Sequence, residues 1–109
     1  MQPETSRIIV NFTTMKEAQA VEETIKTGYI NPMIESIVAW VGVEEDLAES
    51  YEDMSKSLPS PDERRLANQL HVLSISDRDL LLKKLEEFEG LEREYAKRIQ
   101  LLKKLTKGP

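Results

Sequence analysis

The sequence predicts an all-α fold: a long antiparallel helical hairpin with a short helix before it. Three observations carry this. Three separate capping signals open helical stretches. Charged residues make up 32% of the chain, and Leu, Glu, Lys, Ala and Arg dominate its second half, the composition of long helices or coiled coils. A heptad of apolar residues then runs through the last part of the chain.

The first seven residues are polar. Ile8-Ile9-Val10 is a short β-branched run, read as an extended arm, because a lone strand has no partner here. Thr14 and Glu17 form a capping box. The helix they open is expected to stop at Thr27-Gly28. Met15, Ala18, Val21 and Ile25 lie on one side of it, so it is amphipathic.

Asn31-Pro32 is the second start, a cap residue followed by proline at the first helical position. Ile34, Ile37, Val38, Val41, Leu47, Ala48, Tyr51 and Met54 then recur near helical spacing. Gly42 interrupts this pattern and reads as a point of close helix packing. Leu58-Pro59 ends it.

Ser60 and Glu63 make the third start, with Pro61 at the first position and two acids facing the helix dipole. From there the pattern runs to Lys107-Gly108-Pro109. Leu81, Phe88, Tyr95 and Leu102 fall seven apart, Leu85 and Ile99 widen the stripe, and Leu91 and Leu105 flank it. Ser76-x-x-Asp79 is itself a capping-box pattern, so residues 60–106 read either as one helix or as two.

The two arms differ in length. They span about 42 Å and 70 Å if unbroken, so a second subunit, a folded-back helix or the N-terminal helix must cover the far end of the longer one. Leu70, Val72, Leu73, Ile75, Leu80, Leu81 and Leu82 wrap most of the way round their helix. A helix apolar nearly all round is buried on several sides, which points to a dimer or higher oligomer. A chain of 109 residues builds only a modest core alone, and oligomerisation is a common remedy.

Several function classes fall away. The net charge of −5 gives no general attraction for nucleic acid or anionic membrane. The chain has no cysteine, which excludes disulfides and thiolate metal sites. No apolar run reaches the roughly 18 residues of a membrane span. No signal peptide is visible, so the expected location is the cytoplasm. There is no nucleophile elbow and no Gly-rich phosphate loop. Lys103-Lys104-Leu105-Thr106-Lys107 suits a helix C-terminus better than a nucleic-acid patch. His71, the one histidine, is expected on the surface, and Trp40 in a core or subunit contact.

Residues 45–54 read E-x-x-A-x-x-Y-x-x-M through Glu45, Ala48, Tyr51 and Met54. With the turn that follows, this resembles ferritin-like proteins of the rubrerythrin type, and in length it is most similar to short encapsulated ferritins. The resemblance covers about residues 34–98. It implies a two-helix half-bundle, residues 31–109, that dimerises into a four-helix bundle, preceded by an N-terminal arm and short amphipathic helix at residues 1–30. The family's E-x-x-H positions fall on Ser76 and Asp79, so the ligand motif is degenerate. Glu45 and Asp79 are the metal candidates that the resemblance implies, with Glu44 or Glu52 beside them. The expectation is therefore a non-enzymatic structural or protein-interaction module, a homo-oligomer with no catalytic residues and no cofactor. The alternative is a metal-binding, iron-handling protein with a carboxylate site at the dimer interface, holding iron or another divalent metal.

Overall fold

The structure, a computed structural model, describes residues 14–107. The expected arm at Ile8-Ile9-Val10 lies outside them. All the described secondary structure is helical: α1 (Met15–Ile25), a π turn (Lys26–Ile30), α2 (Asn31–Ser57) and α3 (Pro61–Lys107). The molecule is 74 Å long and 16 Å through its thinnest dimension, so it is a single layer of helices.

The capping boxes form as read. The Thr14 amide donates to Glu17 Oε1 at 2.9 Å, and the Glu17 amide donates back to Thr14 Oγ1 at 3.1 Å. At the second turn the Ser60 amide donates to Glu63 Oε1 at 3.3 Å, and the Asp62 amide to Ser60 Oγ at 3.2 Å. Leu58 is extended, with ψ 144°, as a residue before proline should be. Arg64 Nη1 donates to the Leu58 and Pro59 carbonyls at 2.7 and 3.1 Å and ties the turn together.

One boundary differs from the sequence expectation. The first helix does not stop at Gly28. It widens into a π turn and runs on through Asn31-Pro32 into α2. Pro32 has no N–H for the Gly28 carbonyl and crowds it. The wider turn absorbs the mismatch, with the Asn31 amide donating to the Lys26 carbonyl five residues back. The result is one arm from residue 15 to 57, about 64 Å long, which nearly matches the ~70 Å of α3. The N-terminal helix is thus what covers the far end of α3. At Ser76, where one helix and two were both open, α3 continues unbroken through Ser76 and Asp79.

The arms meet along a heptad seam that extends further than the sequence reading placed it. On α3, Ala67, Ser74 and Leu81 are buried, and Phe88, Tyr95 and Leu102 continue the seven-residue spacing half-buried. On the facing arm Ile30, Ile37 and Glu44 are buried at the same spacing, with Ala48 beside them. The π turn adds one residue to its turn of helix, so the inward stripe of α1 sits one residue out of step with that of α2. Glu22 and Lys26, both half-buried, take the places that straight heptads back from Ile30 and Ile34 would give to Glu23 and Thr27. Gly42 is not a point of close approach: a side chain there would meet nothing within 4 Å.

Candidate interaction surface

A two-helix layer has one seam and two broad faces. In an antiparallel pair, residues at the same offset from the seam lie on the same broad face. On α2 the offset three after Ile37 gives Trp40, and its heptad mates are Met33, Leu47 and Met54. On α3 the offset three after Ala67 gives Leu70, with Leu66, Leu73 and Leu80 one step further out. All eight are exposed; Trp40 is 56% exposed and Leu73 59%. They form one apolar face around the turn-proximal half of the hairpin. Beside α1 a shallow depression lined by Val21, Ile25 and Tyr29 carries it toward the open end. The segment expected to be buried on several sides, 70–82, is therefore buried on one side only within a single chain, through Ser74 and Leu81.

The opposite face is different. Its inner α2 positions are Asn31, Val38, Glu45 and Glu52, with Glu35, Glu49 and Lys56 outside them. On α3 it carries Asn68, Ile75, Leu82 and Glu89, with Arg65, Val72, Asp79 and Glu86 outside them. Polar and acidic residues dominate it, with Val38, Val72, Ile75 and Leu82 between them.

Trp40 is fixed from below. Its Nε1 donates to Glu44 Oε2 at 3.2 Å, one helical turn along. Glu44 is itself buried in the seam at 8% exposure. The indole is thus held by a buried carboxylate while its ring stays on the apolar face. Of the two expected places for Trp40, the core of the single chain is not where it lies: its ring faces outward.

His71 is not on the surface as expected. It is half-buried, and its Nδ1 lies 2.7 Å from the Ala48 carbonyl oxygen across the hairpin. Its position was available in the sequence. Two heptads back from Leu85 is His71, but the apolar stripe of Leu66, Leu70 and Leu73 drew the reading to the wrong side of the helix.

Glu45 and Asp79, the metal candidates, both lie exposed on the polar face. Asp79 pairs with Arg78 at 3.0 Å. Glu52 is exposed too, while Glu44 points into the seam. Among the described residues no three His, Cys, Asp or Glu side chains come together as a metal-holding group. No described helix is long and apolar enough to cross a membrane.

At the open end Arg98 bridges the arms, with Nη2 2.7 Å from Glu22 Oε2 and Nη1 3.3 Å from Glu94 Oε2. It stacks 4.4 Å over the Tyr95 ring. The hydrogen bond to Glu22 raises its affinity for the proton above that of a free guanidinium. Thr106 Oγ1 lies 3.3 Å from Gln19 Oε1, a second tie between α1 and α3.

No protein-family model matches the chain, and neither does any curated protein or solved structure.

Proposed function

We propose that this chain is a non-enzymatic structural or protein-interaction module, a ferritin-like half-bundle that works by associating with itself. The observation that carries the reading is the apolar face of Met33, Trp40, Leu47 and Met54 with Leu66, Leu70, Leu73 and Leu80. Monomeric proteins rarely leave a continuous apolar patch of that kind open, and such patches mark interaction sites.

Stacking two apolar faces makes a four-helix bundle, which covers Leu70, Leu73 and Leu80 beside the already buried Leu81.

Sedimentation equilibrium tests the proposal. The expected result is a dimer at micromolar concentration that persists in chelator. A well-folded monomer at the highest soluble concentration would overturn it.

A further inference from the structure

The apolar face has a direction written into it. One stripe of α3 on that face reads, at seven-residue intervals, Glu63, Leu70, Asp77, Lys84, Leu91, Arg98. Its turn-proximal charges are both acidic and its open-end charges are both basic. Read backwards, the stripe is its own complement: Glu63 against Arg98, Leu70 against Leu91, Asp77 against Lys84. The point of symmetry lies between Asp77 and Lys84, beside Leu80. Trp40 lies at nearly the same level, because the Ala48–His71 contact sets the register of the two arms.

We infer that the occupant of this face is a second copy of the same chain, stacked with its turn over the first copy's open end. The two-fold axis passes beside Leu80 and Trp40. This inference rests on the self-association proposed above and adds its orientation.

Gross charge points the same way. Residues 36–82, the turn half, carry ten acids and four bases, a net −6, while the rest of residues 14–107, the open half, carries nine acids and ten bases, a net +1. Stacking turn on turn sets −6 against −6. Stacking turn on open end sets −6 against +1 twice, so the attraction favours the reversed arrangement. The groups that make the pairs are accessible. The Arg98 side chain is 44% exposed and held on this side of the hairpin by Glu22 and Glu94. That of Lys84 is 54% exposed, with Glu87 at 3.5 Å. The pairs sit at the edge of an apolar contact, where they select orientation more than they add affinity.

The native chain has no cysteine, so single cysteines can carry labels. Arg65→Cys and Lys104→Cys both lie off the apolar face. In the reversed stack a label at 65 lies about 12 Å along the axis from the second copy's label at 104, and about 47 Å from its label at 65. With turns together the order inverts. Energy transfer is measured in dimers mixed 65-with-104 and 65-with-65. The expected result is high transfer in the first mixture and low in the second.

A charge-swap variant checks this independently. Asp77→Lys should weaken self-association about tenfold, and adding Lys84→Asp should restore it. A dimer with high 65-with-65 transfer and no rescue by the swap overturns the orientation while leaving the dimer standing. A monomer overturns both.

Discussion

The two broad faces of this hairpin share the same helices, the same caps and the same seam, yet one is apolar and the other polar. The difference lies in which heptad offset carries the leucines. At the offset of Trp40 a bulky apolar residue recurs turn after turn on α2, and on α3 Leu66, Leu73 and Leu80 do the same one step outside Leu70. At the mirror offset Glu45, Glu52, Asn68 and Glu89 interrupt the few apolar residues. A helix with one apolar stripe needs one partner, and a helix with two adjacent stripes needs two. Within the chain each arm satisfies one stripe. The second stripe is what makes the molecule half of a bundle.

The comparison can be tested in descending order of effect. Leu81 sits in the seam, 8% exposed, and both faces depend on it. Leu81→Ala should cost about 2–5 kcal/mol, read as a lower urea midpoint with an unchanged slope. Next is the apolar face itself. Trp40→Lys removes an aromatic anchor near the proposed axis and inserts a charge. It should weaken self-association by roughly 100-fold, the scale of an interface hot spot, while far-UV circular dichroism at high concentration stays helical. Glu45→Lys, the matched change on the polar face, should alter association by less than about threefold. Equal loss from both variants would show that the faces do not differ in role.

A smaller effect is expected at the cap of α1. Thr14→Ala removes the hydroxyl that accepts from the Glu17 amide, keeps the backbone amide that donates to the Glu17 carboxylate, and should cost about 1 kcal/mol. Hydrogen exchange should show the loss confined to α1 and the facing end of α3, since Arg98 and Thr106 tie those two together.

Much of this fold was legible in the residues, and the failures share a cause. Thr14, Ser60 and the heptad from Leu81 to Leu102 are local signals with a fixed geometry, and each formed as read. Gly28 and Asn31-Pro32 are also local signals, for a stop and a start. They were overridden because α3 is long enough to hold α1 in line, and a π turn then absorbs the proline. His71 was misplaced, and Glu44 was not seen as a seam residue, because polar residues inside a seam do not announce themselves by hydropathy. Only extending the heptad back through them reveals where they point. The apolar face was sensed as excess girth between Leu70 and Leu82. Its partner stripe on α2 needed the seam to be known first, since an offset has no meaning until the inward direction is fixed.

The smallest expected effect concerns the polar face, where Glu45 and Asp79 lie. Both are exposed, and Asp79 shares its charge with Arg78. A pair of exposed carboxylates without a third donor is a poor cage for a divalent ion, which prefers several oxygen or nitrogen ligands. The double variant Glu45→Ala, Asp79→Ala should therefore shift stability by no more than about 0.5 kcal/mol and leave the association constant unchanged. Iron measured after loading and desalting should be the same for it and the native chain. Iron held at a fixed stoichiometry by the native protein and lost in the double variant would move the function to this face, with the apolar face reduced to assembling the site.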